Sequence, residues 1–217
     1  MHELLKLIKQ TIAMFFILTI VTGVIYPLLV TVVAQLVFPY KAHGSLLVKN
    51  GVSRGSYLIG QNFTSTQYFW GRPSATAKFP YNPMYSAATN LGSSNPKCIN
   101  QVNDRVNYLT NAEHASAKSY KIPIDLVTAS ASGLDPDISP LAAFYQISRV
   151  ANARHIKESD LETLVIQNIQ EKTLHILGEE RVNVLALNVA LDNTYPCCDS
   201  IVGPRPNLPL PPIPKLL

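Results

Sequence analysis

Residues 11–38 read TIAMFFILTIVTGVIYPLLVTVVAQLVF, without one charged side chain. At a rise of about 1.5 Å per residue, a helix of this length extends roughly 42 Å. That exceeds the ~30 Å hydrocarbon core of a bilayer. No other stretch of the chain is comparable, and from Lys41 onward the sequence is polar enough for water. The reading is a single transmembrane helix over residues 11–38, after a short flank of residues 1–10 and before one water-facing domain. One helix cannot enclose an ion path, so any transport role has to be shared with partner subunits.

Lys6 and Lys9 precede the run as in a signal peptide, and Val32-Val33-Ala34 loosely resembles a cleavage site. Signal h-regions are only about 7–15 residues long, which favours a retained anchor. Thr19, Gly23, Pro27, Thr31 and Gln35 recur every fourth residue. Small and hydroxylated residues let a second helix approach closely in lipid. The helix is thus either a lone anchor kinked at Pro27 or a packing element whose face is Thr19, Gly23, Pro27 and Thr31. Lysines and arginines near the two ends, Lys6 and Lys9 against Lys41, Lys49 and Arg54, slightly favour a cytoplasmic domain. Long domains translocate largely regardless of that count.

The net charge is +4, charged residues make up 15% of the chain, and no basic cluster interleaves with aromatics. Nucleic-acid binding is excluded on that pattern. Residues 41–195 suit one soluble α+β domain with its own core. Short apolar stretches, Ser45–Val48, Tyr57–Ile59 and Tyr68–Trp70, read as strands or turns. Residues 71–98 are a long loop rich in Pro, Ser, Asn, Gly and Tyr, of the kind that is functional or disordered. Residues 98–115 carry Ile99, Val102, Val106 and Leu109 at helical spacing. Ser139 caps a helix opening at Pro140 and continuing through Ala143, Ile147, Val150 and Ala151. Ser159 and Glu162 form a capping box before Leu161, Leu164, Val165 and Ile169. Arg181–Leu191 alternates, with Leu185, Leu187, Val189 and Leu191 on one face, as a half-buried strand does. The tail, residues 196–217, is Pro-rich and expected to be extended and poorly ordered.

The chain has no GxxxxGK[ST] or GxGxxG phosphate loop, no DKTG phosphorylation motif, no GxSxG elbow and no HExxH pair. Cys98, Cys197 and Cys198 match no zinc spacing. Asp125, Asp135 and Asp137 can be read as an acid/base or cation-binding set. They can equally be turn and cap residues around Asp135-Pro136, Gly133 and Ser139, and the second reading is preferred. Gln61 and Asn62 read as loop hydrogen bonders, and Tyr68-Phe69-Trp70 as core. On residues alone, a membrane-anchored extracytoplasmic hydrolase or small-ligand-binding protein stays open.

Several motifs occur in a fixed order: GVIYPL at 23–28, AHGSL at 42–46, GSYLIGQ at 55–61, YFWGRPSA at 68–75, Ser86 with TNLG at 89–92, VTASASGLDPDISP at 127–140 and RVNVLALN at 181–188. The set resembles the C-subunit (KdpC) family of the bacterial Kdp potassium-transporting P-type ATPase, over residues 6–192. Ala131 and Asp137 depart from its pattern, which usually has Gly and His there, and the tail from Cys197 lies outside it. The resemblance implies a non-catalytic accessory subunit of an ATP-driven high-affinity K+ uptake pump, needed for assembly and activity. It implies a channel-like K+-binding subunit, a P-type ATPase catalytic subunit and a small single-helix subunit as partners, besides the lipid bilayer. ATP, Mg2+ and K+ belong to the complex, and none is bound by this chain alone. The family is described as a catalytic chaperone that raises the ATP affinity of the catalytic subunit. It also implies a bacterial inner-membrane location with the domain outside the cytoplasm, over the channel-like subunit, so any effect on ATP affinity has to be allosteric. Gln61, Tyr68, Phe69, Arg72, Ser74, Asn90 and Asp135 are the partner-interface residues expected from it.

Overall fold

The computed structural model describes residues 1–49, 51–113 and 121–196. The chain forms two compact units, Met1–Leu46 and Leu47–Leu217. Cys197, Cys198 and the tail expectation from residue 197 on lie outside the described residues, as do residues 114 and 115 of the expected 98–115 helix.

The first unit is one long helical run, α1 (His2–Ile20), a π-helical turn (Val21–Ile25) and α2 (Tyr26–Val37), followed by the short α3 (Pro39–Ala42). Helix therefore extends N-terminally through residues 2–10. None of its side chains is buried, as expected of a surface made for lipid or for another helix. Pro27 has no N–H to give the Gly23 carbonyl. The ladder widens just before it, where the Tyr26 N–H bonds the Val21 carbonyl five residues back. Thr19 and Thr31 donate their hydroxyls to Phe15 and Pro27 carbonyls in the same helix. No threonine hydroxyl of the stripe is left unpaired in an apolar setting.

The second unit is α+β. A two-stranded sheet pairs β1 (Leu46–Lys49) with β2 (Val52–Ser56). Residues 57–95 then contain no helix or strand. Helices α4 (Pro96–Glu113) and α5 (Ile124–Val127) follow. A three-stranded antiparallel sheet has the order β3 (Asp137–Ile138), β5 (Arg181–Asn183), β4 (Ile169–Gln170). Helices α6 (Pro140–Tyr145), α7 (Ile147–Arg154), α8 (Glu158–Gln167) and α9 (Val184–Thr194) complete the unit. Phe69, Ile138, Ala143, Val150, Leu161, Val165, Val182, Leu187 and Leu191 make the centre of the core. Each fully buried leucine or valine there contributes about 1.5–3 kcal/mol relative to exposure.

Several local expectations hold. Ser139 caps α6 by accepting from the Ala142 N–H at 3.1 Å, with Pro140 in the first turn. Helix α4 covers the expected periodic stretch, and Leu161, Leu164 and Val165 are the buried face of α8.

Others are corrected. The helix from Pro140 is interrupted at Gln146, whose Nε2 donates to the Ala142 carbonyl, the acceptor of its own preceding turn. The Ser159–Glu162 capping box does not form. Helix α8 starts at Glu158, after Lys157, with no side-chain cap, and Ile169 falls in β4. Arg181–Leu191 is a strand only to Asn183. The Asn183 side chain then caps α9 by accepting from the Ala186 N–H at 3.0 Å. Val184, Leu187, Asn188 and Leu191 are buried at helical spacing, so the alternation of leucines was incidental. Of the stretches read as strands or turns, Tyr57–Ile59 is a turn, and Tyr68–Trp70 is a bend followed by irregular chain.

Candidate functional site

The Tyr68–Trp70 stretch lacks a partner strand, yet its backbone is bonded: the Tyr68 N–H donates to the Ser65 carbonyl at 3.2 Å, and side chains meet the remaining groups. Asn188 on α9 accepts from the Phe69 N–H and donates to the Phe69 carbonyl, each at 2.9 Å. Gln146, at the α6–α7 junction, does the same for Trp70, at 2.7 and 3.2 Å. Two amide side chains thus take the place of a neighbouring strand, since a primary amide offers the same donor and acceptor as a peptide group.

Two buried guanidiniums brace the same segment. Arg149 donates to the Thr66 and Tyr68 carbonyls at 2.6 and 3.0 Å, to Gln146 Oε1 at 2.7 Å and to Glu113 Oε1 at 2.9 Å. Its guanidinium lies 3.7 Å from the Trp70 ring centroid. Arg154 donates to the Gln67 and Tyr195 carbonyls and pairs with Asp192 at 2.7 Å, and Asp192 also receives the Tyr68 hydroxyl. Burial lowers the pKa of Arg149 and raises that of Glu113, in each case against partial relief from the other. Glu113 Oε2 is buried without a hydrogen-bond partner, in keeping with an upward shift.

This frame presents the next residues, Gly71 to Ser74, to segment 130–139. Arg72 Nη1 bonds Asp135 Oδ2 at 3.0 Å, while its buried Nε has no partner. Ser74 Oγ donates to the Gly133 carbonyl at 2.7 Å and accepts from the Tyr81 N–H at 2.9 Å. The Tyr81 hydroxyl donates to the Arg72 carbonyl, and burial pushes its pKa well above the ordinary tyrosine value. Gly133 has φ +67°, and a Cβ there would stand 2.7 Å from the Ala87 carbonyl oxygen, so only glycine fits the close approach of the two loops. A cleft of about 350 Å3 opens beside them, lined by Gln61, Phe63, Trp70, Arg72, Arg105 and Tyr108 among others. Arg105 reaches the Val127 carbonyl at 2.8 Å, and burial lowers its pKa. The cleft offers cationic and aromatic groups side by side.

The expected site residues fall into three groups. Gln61, Arg72 and Ser74 line the cleft, with Asp135 bonded to Arg72. Tyr68 and Phe69 are buried, so their part is to position. Asn90 is exposed, in a left-handed conformation (φ +52°), and is not among the cleft's lining residues. Asp125, Asp135 and Asp137 do not assemble. Asp125 accepts from the Ser139 N–H at 2.7 Å, Asp135 binds Arg72, and Asp137 binds Arg181 and Asn183. Burial, partly offset by Asn183 and Arg181, raises the Asp137 pKa. No cluster suited to a metal ion occurs among the described residues. Sequence reading missed Gln146, Arg149 and Asn188. Their one signal was a polar residue placed on an otherwise apolar helix face.

Residues 8–193 match the family model described as K+-transporting ATPase, c chain. The chain belongs to the KdpC family. Proteins named potassium-transporting ATPase KdpC subunit are 50% identical to it in Dechloromonas aromatica, over 187 residues (86% of this chain, 97% of the relative). One from Polaromonas naphthalenivorans is 50% identical over 191 residues (88% and 96%). Another, from Herpetosiphon aurantiacus, is 50% identical over 184 residues (85% and 94%). The KdpC match takes in the apolar helix, the Tyr68–Ser74 frame and the 130–139 segment together. It stops before the Pro-rich tail.

Proposed function

We infer that this chain is the accessory C subunit of a K+-transporting ATPase complex, held in the membrane by its N-terminal helix. The observation that carries this is a family match spanning residues 8–193, the helix and the folded domain alike. The chain does not itself perform the ATP chemistry, and ATP, Mg2+ and K+ are used by the complex. The hydrolase alternative loses its basis, because each of its three aspartates is tied to a structural partner.

The domain is assigned to the extracytoplasmic side, against the channel-like K+-binding subunit, while the helix packs among the membrane subunits through Thr19, Gly23, Pro27 and Thr31. The Arg72 cleft supports a contact role. The Arg72 side chain is 27% exposed beyond the Asp135 pair, and a partner carbonyl or carboxylate could meet its outer nitrogens. An extracytoplasmic domain influences the P-type ATPase subunit only by biasing a conformation that the membrane transmits.

Co-purification from membranes with tagged channel-like and P-type ATPase subunits tests the assignment, and failure of the wild-type chain to co-purify refutes it. A cysteine at exposed Ser53, with the native cysteines removed, tests the orientation. It should react with a membrane-impermeant thiol reagent in intact cells. Labelling only after the inner membrane is opened would place the domain in the cytoplasm.

A further inference from the structure

The hairpin joining β4 to β5 is rooted in the core and ends in an apolar tip. At its base Gln170 pairs with Arg181, and Ile169 with Val182, which is fully buried. Further out, the Thr173 N–H donates to the Leu177 carbonyl at 2.8 Å, and the Leu177 N–H to the Thr173 carbonyl at 2.9 Å. Within that closure Leu174 and His175 have φ +54° and +58°, a left-handed conformation that histidine tolerates but leucine does not favour. No burial compensates. Leu174 is 78% exposed, Ile176 80% and Leu177 61%. A single exposed leucine needs no explanation, but three apolar side chains displayed together on a strained, hydrogen-bonded backbone form a shaped projection.

The surrounding charge narrows what can receive it. Lys172 is paired with Glu179 at 3.2 Å, and Arg181 with Asp137 at 3.1 Å. Among the described residues Glu171 has its ion pair with the His175 imidazole at 3.0 Å, and exposed Glu180 has none. The cations near the tip are neutralised within the chain, and the uncompensated charge is negative. Entering a bilayer surface would carry these carboxylates among lipid headgroups, many of them anionic.

We propose that residues 174–177 are an anchor that seats in an apolar, cation-rimmed socket on a water-facing surface of a membrane-embedded partner subunit. The proposal rests on the reading of the chain as a pump subunit. An apolar centre with a charged rim is the usual arrangement of an energetically dominant contact. The preformed turn means that little ordering entropy is lost on docking.

The test uses the full chain within its complex. Retention of the chain on a tagged partner subunit is followed through a dilution series for wild type, Ile176→Asp, Leu174→Asn and Glu180→Lys. A photo-crosslinking amino acid is also placed at position 176. Losing one buried aliphatic side chain should raise the apparent Kd roughly tenfold or more, and Glu180→Lys should weaken retention in a salt-dependent way. Asn tolerates the left-handed conformation better than Leu, so Leu174→Asn should keep or raise the Tm of the chain while weakening retention, which a folding defect would not do. The crosslink should join a protein subunit. If wild type is retained but the variants are retained equally, or the crosslink reaches lipid alone, the anchor is refuted and the subunit assignment stands. If wild type is not retained at all, both fall.

Discussion

Asn188→Leu isolates the device that replaces a strand beside Phe69. Leucine nearly conserves the volume, so the change reads out hydrogen bonding more than a cavity. Two bonds of 2.9 Å vanish, leaving the N–H and carbonyl of a residue with no solvent exposure unpaired. Each orphaned buried group costs about 1–3 kcal/mol, and the apolar transfer of leucine returns part of that. A net loss of about 2–3 kcal/mol is expected, lowering Tm by about 5–10 °C for a protein of this size. Trp70 is the only tryptophan and sits next in sequence, stacked on Tyr108 with centroids 5.3 Å apart. Its fluorescence during urea and thermal unfolding of the full chain in detergent therefore reports on the affected segment. Ile124→Ala, at a position 75% exposed, should shift stability by no more than about 0.5 kcal/mol. A loss below about 1 kcal/mol for Asn188→Leu would show that the amide does not hold the segment, and the account of the frame would fail.

Three further outcomes are expected. A Cβ at Gly23 meets nothing within 4 Å in this chain, so Gly23→Leu should leave its folding unchanged and weaken only co-purification with the membrane subunits; unchanged co-purification removes the packing face. Glu113 has a folded pKa raised by burial, so its contribution is fully present below the ordinary glutamate pKa of about 4.3 and is lost as pH rises through the raised value. Glu113→Gln should flatten the decline in unfolding free energy across that window, and an identical slope in both proteins contradicts the shift. Gly133→Ala combines a left-handed φ of +67° with a 2.7 Å approach to the Ala87 carbonyl, whereas Gly178→Ala has φ +85° and open space. The first should cost about 1–3 kcal/mol more in denaturant unfolding than the second, and equal losses would mean that the loops 74–87 and 130–133 part without cost.

Local chemistry was enough to read the membrane helix, the Ser139–Pro140 helix start, the Gly133 turn and the periodic helices α4 and α8. In each case the cause lies within a few residues: an uncharged run, a cap, a missing N–H, a 3.6-residue stripe. The family too was legible, because ordered motifs survive in sequence whatever their packing. Tertiary structure alone decided α9, where Leu185, Leu187, Val189 and Leu191 satisfy a strand pattern by accident. The helix is selected by the Asn183 cap and by burying Asn188 against Phe69. Tertiary structure also decided that Tyr68–Trp70, which reads as a strand or a turn, is buried without a partner strand. Its partners are side chains 119 residues away at Asn188 and 76 away at Gln146. No local period encodes a bond across that distance. An amide on a helix states only that it can stand in for a peptide group, and the fold determines which backbone it meets.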